Sequence, residues 1–401
     1  MKNVRKIAED LYWVGASDRR LALFENVYPL RDGVSYNSYL YVDEKTVLLD
    51  TVDHSVSRQF LENIKGVLGE RALDYVIVNH MEPDHCAVIE ELILRYPKLQ
   101  IIGNAKTIGM VKQFYDFEVD SRAYIVKEGD TFSTGKHELK FVMAPMVHWP
   151  EVMVTYDVTE GILFSADAFG SFGALSGNVF ADETEFCCEQ IDEARRYYTN
   201  IVGKYGMQVQ ALLKKASALE IKMICPLHGL IWRENIEKFV EKYQMWSTYT
   251  AEENSVLIVY GSVYGNTENA AEVLAGKLAD QGIKHIKVCD ISKTDISYVL
   301  ADTFKYSHIV FAAATYNNGI FTPMETLLHD LKAHNVQNRT VALIENGSWA
   351  PASGKQMAEL IAGLKNVEVL EEKVTIKSAL KDNQEEMLDE LAQKLVESLK
   401  K

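Results

Sequence analysis

The chain has 401 residues, 47% of them apolar and 25% charged, and carries a formal net charge of −15 at pH 7. That length exceeds one ordinary core and suggests two or three domains, while the apolar content excludes a disordered chain. An acidic surplus with no basic run along the sequence excludes nucleic acid and an anionic membrane surface as partners.

The N-terminal stretch MKNVRKIAED has no apolar signal core, and no run reaches the roughly 18 apolar residues of a membrane span, so the expectation is a soluble cytoplasmic protein. Five cysteines, Cys86, Cys187, Cys188, Cys225 and Cys289, are an odd number at no zinc-ribbon spacing and read as reduced thiols, with the adjacent Cys187 and Cys188 as a redox-active alternative.

From Phe24 to about Phe169 the chain reads as short strands broken by turns (SYLYV, VLLDT, YVIVNH, LQIIGN, FVMAPM, VMVTYDV) with few helices. Stretches from Glu189 to Lys215 and from Asn235 to Thr250 then carry apolar residues three and four apart and predict helices. Strands followed by helices predict an α+β layer architecture for residues 1–250. The character changes at Glu252–Asn254. Strands are predicted over Val256–Tyr260, His285–Cys289, His308–Ala314, Thr340–Ile344 and Val367–Val374, with helices between, so residues 254–401 predict an α/β domain with a five-stranded parallel, doubly wound sheet.

The sharpest local signal is His80-Met81-Glu82-Pro83-Asp84-His85, placed between an apolar strand and a helical stretch. Pro83 keeps Glu82 out of the helical conformation, which lets the side chains fan out. Four ionisable groups in an apolar setting are unfavourable without a cation to compensate them. They cannot surround two cations alone, and His148, Asp167 and His228, each expected near the end of a later strand, are the candidates to complete the set. Imidazole and carboxylate without thiolate suit iron, manganese or zinc, and coordination alone does not decide among them. His54, His137, His308 and His334 read as core residues.

After the strand VLIVY comes Gly261-Ser262-Val263-Tyr264-Gly265-Asn266-Thr267 and then a helix, a loop whose amides and hydroxyls suit a phosphate monoester. It has neither the Lys of a triphosphate loop nor GxGxxG spacing. Two further loops, Ala314 to Phe321 and Glu345 to Gly354, follow the third and fourth predicted strands and suit a planar ring, with Thr315, Tyr316, Asn317, Asn318, Gly319, Ser348 and Ala350 as candidate contacts and Trp349 by stacking.

On the H-x-E-x-D-H loop, the later His148, Asp167 and His228, and the phosphate loop, the chain resembles the flavodiiron proteins over nearly its whole length. The resemblance implies a four-layer αββα metallo-β-lactamase-like domain joined to a flavodoxin-like domain that binds FMN. It further implies that His80, Glu82 and His148 hold one iron, that Asp84, His85 and His228 hold the other, and that Asp167 bridges them. Electrons would pass from FMN to the diiron site, reducing O2 to water or NO to N2O. Glu82 stands where zinc hydrolases of this superfamily have a histidine, which sets the alternative, a zinc hydrolase with a regulatory flavodoxin-like domain, second. A flavin electron carrier with an inert metal domain is third. The third flavin loop departs from the Gly-Ser-Tyr-Gly-Trp of many relatives, which leaves open which aromatic stacks on the ring. The resemblance also implies a head-to-tail homodimer, or a pair of dimers, with Trp149 and Glu151 either lining the junction or plain structure. No rubredoxin-type cysteine pairs occur in the sequence, so the expected electron donor is a separate rubredoxin-like protein.

Overall fold

The computed structural model describes residues 2–185 and 190–400; Cys187 and Cys188 lie outside them. Two compact units form, one of Met1–Tyr198 and Tyr205–Gln244, the other of Thr199–Lys204 and Met245–Lys401.

The first unit holds two large sheets. One has seven strands in the order Arg5–Lys6, Leu11–Trp13, Tyr39–Val42, Thr46–Leu49, Tyr75–Ile77, Gln100–Gly103 and Ala123–Ile125. The other has five, in the order Thr131–Ser133, Glu138–Met143, Met153–Asp157, Ile162–Phe164 and Met223–Cys225. Alternate side chains of each sheet meet in one core, with Tyr39, Tyr41, Leu49, Ile77 and Ile102 from the first and Leu139, Phe141, Met153, Ile162 and Phe164 from the second. Tyrosine hydroxyls in such a core need partners. Tyr41 donates to Asp157 at 2.7 Å, and Tyr39 to the Pro226 carbonyl at 2.6 Å. With helices on the outer faces this is the four-layer αββα arrangement.

The expectation of few helices before Phe169 is corrected. Ser57–Leu68 is helical and buries Phe60, Leu61, Ile64 and Leu68, and Ala105–Phe114 is helical with Asn104 as its cap. Such crossovers let the strands from Thr46–Leu49 to Ala123–Ile125 run parallel, which hairpins cannot do. The single helix expected from Glu189 to Lys215 is interrupted. Helix Ile191–Tyr197 passes through a π turn, Tyr198–Val202, and a 3-10 turn, Gly203–Tyr205, before helix Gly206–Ala216. Two glycines within four residues favour the break. His54, expected in the core, is exposed.

In the second unit the five predicted strands form one parallel sheet in the order Lys287–Asp290, Glu253–Gly261, Tyr306–Tyr316, Arg339–Asn346 and a last edge. That is the flavodoxin order 2-1-3-4-5. The edge differs from expectation: Val367–Val369 and Val374–Ile376 are separate strands, both paired to Arg339–Asn346. Between the paired residues Val369 and Val374 four residues face only two of the neighbouring strand, and the charged Glu371-Glu372-Lys373 bulges outward. Helices Asn266–Asp280 and Glu385–Leu399 close one face over Val256, Ile258, Val310 and Ile344.

Candidate metal centre and flavin cleft

The strand Tyr75–Ile77 delivers the chain to Asn79 and His80, where a buried carboxylate from the neighbouring strand end takes over. Asp50 accepts from the Asn79 amide at 2.7 Å, from the Asn79 side chain at 2.8 Å and from the His80 amide at 3.2 Å. Burial pushes the Asp50 carboxyl up to about 6, and these hydrogen bonds work against the shift. Glu82 is extended at φ −63°, ψ 140°, and Pro83 then opens the short helix Pro83–Cys86. Two predicted ligands therefore lie before a helix start and two in its first turn, more compact than a wholly extended loop.

His148 does not end a strand as expected; it lies in the loop between Glu138–Met143 and Met153–Asp157. Asp167 follows Ile162–Phe164, and His228 follows Met223–Cys225. All seven side chains nevertheless converge. The His80 Nε2 lies 3.1 Å from Glu82 Oε2 and 3.3 Å from Asp167 Oδ2, and the His148 Nε2 lies 3.0 and 3.2 Å from the same two oxygens. On the other side, His85 Nε2 is 3.3 Å from Asp84 Oδ2 and 3.1 Å from Asp167 Oδ1, and His228 Nε2 is 3.2 and 3.7 Å from them. One carboxylate thus turns one oxygen to each group.

A cation fits here on the chemistry of the donors. The His80 Nδ1 donates to the buried Glu151 Oε1 at 2.8 Å, and His228 Nδ1 to the Ser35 carbonyl at 2.7 Å. Each neutral ring then has only a lone pair on Nε2, facing carboxylate oxygens that are also acceptors. Both Asp84 oxygens, His85 Nε2, Asp167 Oδ1 and His228 Nε2 are buried without a hydrogen-bond partner. So many orphaned acceptors at one point require positive charge.

Several further residues surround the centre. Glu151 is buried, accepts from His80 and from the Met81 amide at 2.9 Å, and so orients a ring. Trp149 stands edge-on to His80 at 5.3 Å between centroids. Asp50, Ser35 and Glu25 carry no motif. Glu25, in the hairpin of Leu23–Phe24 and Tyr28–Pro29, meets Glu82, and its carboxyl is pushed up to about 8 by burial first and by the Glu82 charge second.

In the second unit a cleft of about 620 Å³ opens beyond the carboxyl ends of the first, third and fourth strands. Its wall includes Ser262, Val263, Tyr264, Asn266, Thr267, Thr315, Tyr316, Asn317, Asn318, Ser348, Trp349 and Ala350. Gly265 and Gly319 are not among the lining residues but shape their loops. Gly265 turns the first loop at φ +91°, its amide donating to Ser262 Oγ at 3.0 Å, and Gly319 pairs with Tyr316 in a tight hairpin. Ala314, Asn346 and Gly347, from the same two loops, also line the cleft, and Ser378 lines it without having been predicted. FMN fits these residues: the phosphate loop precedes the long helix Asn266–Asp280, and the buried Asn346 Oδ1 lacks a partner inside the cleft.

Residues 34–229 match the family model described as ODP family beta lactamase, and residues 258–391 match Flavodoxin. The chain is 30% identical over 379 residues to an uncharacterized protein of Methanocaldococcus jannaschii, covering 94% of each. It is 32% identical over 349 residues to an anaerobic nitric oxide reductase flavorubredoxin of Vibrio vulnificus, covering 86% of this chain and 70% of that one. The flavodiiron protein of Giardia intestinalis superposes with a TM-score of 0.92 at 26% identity, covering 100% of this chain and 98% of that one. The chain belongs to the flavodiiron proteins.

The rubredoxin oxygen:oxidoreductase of Desulfovibrio gigas superposes with a TM-score of 0.90 at 28% identity over 99% of both chains. As a flavodiiron protein the chain is an oxidoreductase whose cofactors are FMN and a pair of irons, and a zinc hydrolase is not favoured. Among the described residues no helix is long and apolar enough to cross a membrane.

Proposed function

We propose that this flavodiiron protein reduces diatomic oxidants, O2 to water and NO to N2O, with electrons from a rubredoxin-like donor. The observation that supports this reading best is Asp167, whose two oxygens face two separate His-carboxylate groups, the arrangement two neighbouring metal ions need. In this reading His80, Glu82 and His148 hold one iron, Asp84, His85 and His228 the other, and Asp167 both. Such a pair, when bound, supplies two electrons and two adjacent positions for substrate, and reduced flavin supplies two more electrons.

The chain's own residues do the rest. Glu151 and the Ser35 carbonyl fix the tautomers of His80 and His228 so that each Nε2 points inward. Ser262 to Thr267 would hold the flavin phosphate, Thr315 to Gly319 would wrap the ring, and Ser348, Trp349 and Ala350 would cover it. Tyr264 and Trp349 are 92% and 88% exposed, which suits aromatics waiting for a ring or a partner surface, and a head-to-tail homodimer would provide that surface.

Anaerobic reductive titration of the purified protein, with iron and flavin analysis, tests the reading. Uptake of about four electrons per subunit, followed by reoxidation by O2 without peroxide, is expected. About two electrons and no iron would overturn it. The two reoxidation rates, with O2 and with NO, rank the substrates.

A further inference from the structure

The sequence has no basic run, yet the fold assembles one. A cavity of about 620 Å³ in the first unit, apart from the seven metal-centre side chains, is lined by Arg5, Arg19, Arg20 and Arg58. Its floor is apolar, formed partly by Trp13 and Val56. Among the described residues Glu62 is its one lining acid, paired with Arg58 at 3.3 Å, and Asp18 stands 3.8 Å from Arg20.

Two of these arginines are held in place. Arg5 donates to the Gly177 carbonyl at 2.8 Å and Arg19 to the Leu175 carbonyl at 2.6 Å, two points on one loop, and Ser17 accepts from the Leu175 amide at 3.1 Å. Neither guanidinium has a carboxylate partner among the described residues, and each retains N–H groups of its fork. Four guanidiniums around one concavity repel one another, in a chain whose net charge of −15 offers acids elsewhere. An anion relieves that repulsion, and phosphate matches the guanidinium fork. The cavity is also of the size that takes a small molecule rather than a flat protein surface.

We propose that this cavity is a binding site for a phosphate-bearing small molecule of about nucleotide size, distinct from the flavin cleft. Arg5 and Arg19 form its preorganised side, and Arg20 and Arg58 close on the ligand from the rim.

Calorimetric titration of the FMN-loaded, iron-loaded protein at low salt with inorganic pyrophosphate and with ADP tests this, beside the double variant Arg19→Gln, Arg58→Gln. Both side chains are exposed, so flavin and iron content should be unchanged in the variant. The expected result is one saturable site per subunit for both probes, weakened roughly tenfold or more in the variant. Absence of saturable binding, or equal binding by the variant, overturns the proposal. So does binding abolished by Thr267→Ala but not by the arginine changes, which would place the anion at the flavin phosphate loop. An acidic peptide such as polyglutamate binding where neither phosphate probe does would make the groove a protein docking surface and overturn it equally.

Discussion

At the residue scale, the metal centre separates into what a motif announces and what only folding brings together. His80, Glu82, Asp84 and His85 were legible because four ionisable groups fall within six consecutive residues. Asp50, thirty residues upstream of His80, and Ser35, far from His228 in the chain, were not, since a lone Asp after a strand and a backbone carbonyl carry no signal. Glu151 shows the intermediate case: its closeness to His148 along the chain marked it, but its carboxylate turns to His80 and Met81. An outer partner that fixes a ligand imidazole commonly matters by about 10–100-fold in metal affinity. Glu151→Ala is therefore expected to weaken iron binding by about that factor, measured by competition with a chelator. Glu151→Gln keeps an acceptor for the ring and should lose much less. Equal losses in both variants would mean that the charge, not the hydrogen bond, carries the effect.

At the scale of elements, turns decide where the ligands end up. Gly229 follows His228 at φ +79°, and a Cβ there would come 2.1 Å from Ser171 Oγ and 3.1 Å from the Ser171 amide. Gly229→Ala should thus displace the His228 loop and release its bond to Ser35; the expected outcome is about one iron retained per subunit rather than two, read by metal analysis of the purified variant. The sheet of the second unit was legible as five strands because period and turn signals repeat there, whereas the break in its last edge depends on register with Arg339–Asn346, which no local pattern encodes. In the same sheet His308 is buried between the Ser307 and Ser398 hydroxyls, and burial lowers its pKa from 6.5 to about 4. The unfolded chain takes up this proton near 6.5 and the folded one only near 4, so in that window the unfolded state binds more protons and stability rises with pH. The contribution is whole above about 6.5 and is lost as pH falls towards 4. His308→Leu should flatten the pH dependence of urea unfolding, followed by flavin release, across that window. An unchanged slope would assign the acid sensitivity to other groups.

At the scale of the whole molecule, each unit has its own core and its own cofactor chemistry. The second carries an internal tie: the buried Arg339 guanidinium donates to the carbonyls of Tyr249, Thr303, Phe304, Gln337 and Asn338, so the unit's segment around Tyr249 is fastened to its sheet without any carboxylate. Replacing it leaves several buried carbonyls unpaired, at a cost on the order of 3 kcal/mol or more. A ligand that binds only the folded form stabilises that form by about 2.7 kcal/mol at a hundredfold excess over its dissociation constant, and only where it binds. Thermal unfolding watched by two probes should then separate the units. Excess FMN should raise the transition reported by flavin fluorescence, and Arg339→Met should lower it, while a chelator should lower the transition reported by the iron chromophore and leave the flavin one nearly in place. If one additive moved both transitions equally, the units would unfold as a single cooperative body, and local effects such as those expected for Gly229 and His308 would have to be judged against the whole chain.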